Sequence, residues 1–108
     1  MPLNIVGEDN FKKEVLEAEV PVMVDFWAVW CGPCLVVAPV LLELEEEYDG
    51  RMKLAKVNVD ENNILAAKYG ISAIPTMLIF KGGKPEKQFV GLKSKKDLRA
   101  ALDEVLKS

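Results

Sequence analysis

The chain has 108 residues, 50 % of them apolar, enough for one domain that buries roughly two-thirds of its unfolded surface without a covalent staple. A net charge of −3 with 29 % charged residues suits a soluble protein and excludes the basic footprint of a nucleic-acid binder. The apolar stretch Val36 to Leu42 falls far short of the roughly 20 residues of a membrane span.

Met1 to Asp9 has neither a basic start nor an extended apolar region, so no signal peptide is read; a cytoplasmic protein is expected, or a mature form whose targeting segment has already been removed. After the turn-like Gly7-Glu8-Asp9-Asn10, the spacing of Phe11, Val15 and Leu16 predicts a short helix. Pro21 opens an apolar run, Val22 to Ala28, dense in β-formers; such continuous hydrophobicity marks a strand covered on both faces. A long helix follows from about Pro33 to Tyr48, with proline tolerated at its first position. Cys34, Val37, Leu41, Leu44 and Tyr48 form its buried stripe, Glu43 to Glu47 a solvated face around Leu44, and Pro39 an expected kink. Asp49-Gly50 ends it.

Met52 to Val59 reads as a second central strand, and Glu61 to Tyr69 as a helix closed by Gly70. Thr76 to Phe80 and Gln88 to Val90 flank Gly82-Gly83 as a hairpin. The last helix carries a capping box, Ser94 with Asp97, and an apolar stripe of Leu98, Ala101, Leu102 and Val105. Lys93, Lys95 and Lys96 read as its solvated start. Strand–helix–strand demands a parallel crossover while the hairpin adds antiparallel strands. The expected fold is therefore α/β, a central mixed β-sheet with helices on both faces. With no linker, repeat or low-complexity tract, residues 1–108 read as a single domain.

Chemistry concentrates in Trp30-Cys31-Gly32-Pro33-Cys34, where a strand meets a helix N-terminus. Histidine is absent, which removes Ser/His/Asp and Cys/His catalysis. Two cysteines separated by two residues suggest redox or metal chemistry in a reducing compartment. An ordinary thiol, pKa about 8.5, is only about 3 % thiolate at pH 7. Unpaired amides and the helix dipole would raise that fraction at Cys31, and a pKa near ambient pH is best for attack. Cys31 is thus the expected exposed attacker and Cys34 the resolving thiol one turn inside. Gly32 lets another backbone approach, and Pro33 stiffens the ring.

Three other readings stay open. A structural staple closing so short a ring would contribute only roughly 2 kcal/mol. A zinc knuckle needs two further ligands, which one chain lacks but two chains could share. Two inert buried thiols are the third.

Asp25 interrupts the first central strand six residues before Cys31. Buried without a partner, its carboxyl would have a raised pKa and could take the proton of Cys34 during resolution. Alternatively it is a structural carboxylate paired with Lys56 on the neighbouring strand, and the two roles can coexist. Ile74-Pro75-Thr76 leaves backbone free to pair with an extended peptide; a cis bond occurs at only about 5–6 % of X–Pro sites, and the pattern alone does not claim one.

Together these residues resemble the thioredoxin family. The matching motifs are Val24-Asp25-Phe26-Trp27-Ala28, Trp30-Cys31-Gly32-Pro33-Cys34, Ala38-Pro39, Ala55-Lys56-Val57-Asn58-Val59-Asp60, Tyr69-Gly70-Ile71, Ile74-Pro75-Thr76 and Gly91, in the family's order over nearly the whole chain. The resemblance implies the order β-α-β-α-β-α-β-β-α. It also implies a dithiol that reduces disulfides of partner proteins through a mixed disulfide and is recharged by a thioredoxin-reductase-like enzyme. By position, Cys31 is the nucleophile, Cys34 the resolving thiol, Asp25 the proton acceptor and Lys56 its neighbouring charge. Trp30, Gly32, Pro33, Val59, Ile74, a cis Pro75, Val90 and Gly91 frame the groove for the partner chain. No metal and no bound cofactor are implied, and a monomer free of nucleic acid and membrane is expected.

Two positions depart from the family pattern. Leu35 stands where a Lys or Arg is usual, and Val29 where a polar residue or proline is common. With Trp30 they imply a more apolar rim that favours self-association, unless Leu35 packs locally. Trp27 and Trp30 read as packing residues. Within the chemistry, a disulfide oxidant or isomerase is the alternative to a reductase. Outside it, the alternative is a non-catalytic module that clamps a partner.

Overall fold

The computed structural model describes residues 4–107. Its five-stranded sheet has the order β1-β3-β2-β4-β5, comprising β1 (Asn4–Ile5), β2 (Val22–Trp27), β3 (Lys53–Asn58), β4 (Thr76–Lys81) and β5 (Lys84–Val90). The helices are α1 (Gly32–Tyr48), α2 (Asn63–Lys68) and α3 (Lys95–Lys107). β1 and β2 both run parallel to β3, whereas β4 is antiparallel to β2 and β5. This is the mixed sheet expected, with β2 at its centre as its unbroken hydrophobicity demands.

Side-chain alternation along the strands builds two cores. Met23, Leu54, Met77 and Ile79 face Val37, Leu41 and Leu44 of α1 and Leu98, Leu102 and Val105 of α3. Val22, Val24, Phe26, Val57, Leu78 and Phe80 point the other way, onto Phe11, Val15 and Leu65. Phe11, Tyr69 and Phe80 close that second core with ring centroids 5.3–5.6 Å apart, at which tilted and edge-on rings attract. Fully burying a side chain such as Phe26 or Leu41 contributes roughly 1.5–3 kcal/mol.

Several local features differ from the sequence expectation. The segment after Phe11 is a π-helical turn, Lys12–Leu16, closed by the Glu17 amide donating to the Lys12 carbonyl at 2.9 Å. The Lys53 ammonium, arriving from β3, bonds the Glu14 carbonyl at 2.8 Å and the Glu14 carboxylate at 2.6 Å. No sequence-local rule anticipates a carbonyl claimed by a residue 39 positions away.

α1 begins at Gly32, one residue early, and runs on through Pro39, which lies on its exposed face. There the missing N–H removes one intrahelical bond without cutting the helix. α2 is shorter than expected because the Asn58 side chain holds the Asp60 and Glu61 amides (2.8 and 3.3 Å) in a turn. Its first free amides, Ile64 and Leu65, are capped by Glu8 Oε2 at 2.9 and 3.1 Å.

β5 is longer than Gln88 to Val90. Pro85 and the surrounding charges obscure it in the sequence, yet both are tolerated on an edge strand. Gly82 and Gly83, at φ +59° and +82°, make the tight turn that needs two positive φ values. The helix face expected to be merely solvated also bonds. Glu45 accepts from the Leu54 amide at 2.9 Å, while Glu43 and Glu47 pair with Lys95 and Glu47 with Arg99, tying α1 to α3. Ser94 Oγ caps α3 by accepting from the Asp97 amide at 3.1 Å.

Candidate active site

β2 delivers the chain to the end of the sheet, where the Cys31 amide donates to the Ala28 carbonyl at 3.2 Å and turns it into α1. Cys31 is the N-cap of that helix, extended at φ −90°, ψ 106°, and its Sγ accepts from the Cys34 amide at 3.2 Å. Pro33 fits in the first turn because its nitrogen has no hydrogen to satisfy there. The Cys31 sulfur therefore occupies the positive end of a 17-residue helix dipole, a place that favours a thiolate.

Cys31 and Cys34 are joined in a disulfide with Cα atoms 5.3 Å apart, so they are not two separate inert thiols. Cys31 is far less exposed than expected, at 4 % against 1 % for Cys34. Ala28, Trp27, Val59 and Ile74 pack against the pair.

Asp25 lies on the same face of β2 as Met23, the face that α1 covers. It is wholly buried, directly across from Lys56 on β3, whose ammonium stands 2.8 Å from Oδ2. Beyond that ion pair, neither Asp25 oxygen has a hydrogen-bond partner among the described residues. Burial pushes the carboxyl pKa up from 3.8, and the attraction of Lys56 offsets only part of the rise. Lys56 is itself held over the Trp27 ring, 5.1 Å from its centroid.

Three of the expected groove residues meet in one cavity. Trp30, Val59 and Ile74, with Ile71, Ser72 and Ala73, line a cavity of ≈ 330 Å³ beside the disulfide. The Ile74-Pro75 bond is cis. The Pro75 carbonyl accepts from the Gly91 amide at 2.8 Å, and Thr76 pairs with Val90, so Val90 and Gly91 form the wall next to Ile74 and Pro75. Gly32 and Pro33 are exposed at the head of α1, where a Cβ on Gly32 would meet nothing within 4 Å.

Trp30 is exposed, not packed, and is pinned by its indole N–H donating to Asp60 Oδ2 at 2.8 Å. Leu35 does not pack locally either; it is open to solvent. Sequence reasoning missed Asp60, Ile71, Ser72 and Ala73. Asp60 and Ile71 stood only within the family motifs Ala55 to Asp60 and Tyr69-Gly70-Ile71, with no site role. A second cavity of ≈ 530 Å³, lined by Val20, Leu42, Glu45, Glu46, Asp49 and Met52 among others, lies toward the far end of α1 and includes none of the expected site residues. Among the described residues no helix is long and apolar enough to cross a membrane.

Residues 2–104 match the sequence profile of the family described as Thioredoxin. The chain is 50 % identical over 101 residues to thioredoxin 1 of Nostoc sp., covering 94 % of each chain. It is 48 % identical to a thioredoxin of Synechocystis sp. and 50 % identical to one of Acidithiobacillus ferridurans, again over 101 residues and 94 % of each chain.

Proposed function

The chain belongs to the thioredoxin family, and on that premise we propose that its reduced form donates electrons to disulfides of partner proteins and is recharged by a thioredoxin-reductase-like enzyme. It is a protein thiol–disulfide oxidoreductase that works through a mixed disulfide. The proposal concerns which residue does what, and in which direction electrons flow.

Cys31, as thiolate, attacks one sulfur of the target disulfide; that bond breaks and the other target sulfur leaves as a thiolate that takes up a proton. Cys34 then loses its proton to Asp25. Its sulfur attacks Cys31 Sγ, forming the intramolecular disulfide and expelling the second target sulfur, which is protonated in turn. Two electrons have passed to the target. The reverse exchange with a reductase returns them. This scheme uses no bound cofactor and no metal, since the cysteine pair itself stores the electrons. A reducing compartment such as the cytoplasm suits the resting dithiol. Lys56 holds the carboxylate form of Asp25 within reach of ionisation, and the Trp30, Gly32, Pro33, Val59, Ile74, Pro75, Val90 and Gly91 surface receives the target backbone.

One observation supports this reading above the rest: the Cys31 sulfur caps α1 while bonded to Cys34. The test is insulin reduction driven by dithiothreitol, followed as turbidity. The wild type should accelerate precipitation and Cys31→Ser should match the uncatalysed rate. Equal rates for the two would leave only the non-catalytic module. A reduction potential above that of glutathione would make the protein an oxidant.

A further inference from the structure

Four large apolar side chains stand in solvent around the head of α1: Val29 (65 % exposed), Trp30 (68 %), Leu35 (57 %) and Val36 (63 %). Among the described residues, the other exposed large apolar side chains are Ile5 on β1, Leu42 in the second half of α1, Ile64 on α2, Val90 at the end of β5 and Leu92 just after it. Val29 and Trp30 form the turn before Cys31. Leu35 lies one helical turn below Cys31, its amide donating to the Cys31 carbonyl at 3.3 Å. Val36 stands in the same relation to Gly32. From Phe26 to Leu42 the chain carries no charge at all.

Trp30 is held in place by Asp60 and contributes to the cavity with Val59 and Ile74. Val29, Leu35 and Val36 contribute nothing to that cavity; they make a separate apolar lip, Val29 in the turn before Cys31 and the other two near the start of α1. A mixed disulfide at Cys31 brings the partner chain to the head of α1. The residues that flank the partner's cysteine then lie within reach of the lip as well as of the groove.

We propose that Val29, Leu35 and Val36 are specificity determinants that select target disulfides whose cysteine is flanked by uncharged apolar residues. The inference rests on the oxidoreductase reading above and names the substrate class for it. An apolar flank gains by removing its own surface and the lip's from water. A flanking Lys or Glu loses hydration there, and the lip residues carry no counter-charge, while the Asp60 carboxylate at Trp30 is engaged by the indole.

The experiment measures second-order rates of the reduced protein on disulfide-linked peptides of one length, with Leu/Val, Lys or Glu beside the cysteine. Each rate is divided by the same protein's rate on hydroxyethyl disulfide, which has no flanking residues. The variant is Val29→Thr/Leu35→Gln/Val36→Thr, which changes polarity at exposed positions and adds no charge near the thiols; Leu35→Gln alone is the milder companion.

The wild type should favour the Leu/Val peptide by about tenfold over either charged one, and the triple variant should bring that ratio to within about twofold. A wild-type ratio near one, or the same ratio in both proteins, overturns the proposal. So does a dimer in sedimentation that the triple variant dissolves while the peptide ratio stays put, because the lip would then belong to a second copy. Inactivity of the wild type on hydroxyethyl disulfide as well would instead remove the oxidoreductase reading itself.

Discussion

Asp25 and Lys56 face each other across adjacent parallel strands, ammonium 2.8 Å from Oδ2, on the sheet face covered by the helix that Cys31 caps. The pair is buried, and beyond Lys56 the carboxylate has no hydrogen-bond partner among the described residues. A charge so placed costs stability unless its partner repays the lost hydration in full. The upward push on its pKa says that it does not.

Asp25→Asn should therefore melt higher than the wild type at pH 7, by on the order of 5 °C. The folded carboxyl has the raised pKa, so the stability it leaves intact below its ordinary 3.8 is lost as pH climbs through the folded value. The gap between the two melting temperatures should be small near pH 3 and widen toward pH 7. The same substitution should slow resolution of the mixed disulfide by roughly 10²-fold. A lower melting point with normal turnover would take Asp25 out of the mechanism.

Removing the resolving sulfur separates the two steps. Cys34→Ala should still attack through Cys31 and then stall, so that a covalent adduct with a disulfide-bearing protein accumulates on a non-reducing gel. Cys31→Ala should give none. Adducts formed equally well by both would show that the helix-capping sulfur has no privilege.

Tyr48 closes α1 against α3, its hydroxyl donating to the Asp103 carboxylate at 2.6 Å and lying 3.1 Å from the Arg99 carbonyl. Tyr48→Phe keeps the ring in the core and should cost about 1–2 kcal/mol in denaturant unfolding. Burial first, and then the Asp103 carboxylate, push the phenol up from 10.0 to about 12. Because the raised value belongs to the folded state, the wild type loses this stabilisation as pH rises from 10 through 12. The difference between wild type and Tyr48→Phe should shrink over that window.

The Trp30 indole is exposed and tethered by its hydrogen bond to Asp60. Asp60→Ala should free it, lowering its fluorescence anisotropy and reducing kcat/KM on protein disulfides by about threefold, the loss of one charge-assisted bond offset by rehydration. Asp60→Asn, which keeps an acceptor oxygen, should restore most of both. Unchanged anisotropy in the alanine variant would show that the indole is held by packing alone.

The long helix from the cysteines to Tyr48, the central strand through Asp25, the Gly82-Gly83 hairpin and the apolar stripe of α3 were all legible because each is written in local periodicity and punctuation. The Cys31/Cys34 chemistry was legible for the same reason: strand, turn, proline and helix agree within a few residues. The pairing of Asp25 with Lys56 could be guessed, since two predicted central strands left them as the buried charges. Their register, and the missing hydrogen bonds, could not.

What the tertiary structure alone decided is what depends on contacts between distant segments. Examples are the π-turn whose Glu14 carbonyl is taken by Lys53, the capping of α2 by Glu8, the tether from Asp60 to Trp30, and the burial of Cys31 beneath Val59 and Ile74. Such contacts leave no periodic trace in the sequence, because a hydrogen bond or packing contact between residues tens of positions apart is specified by the geometry of the sheet and not by neighbours along the chain.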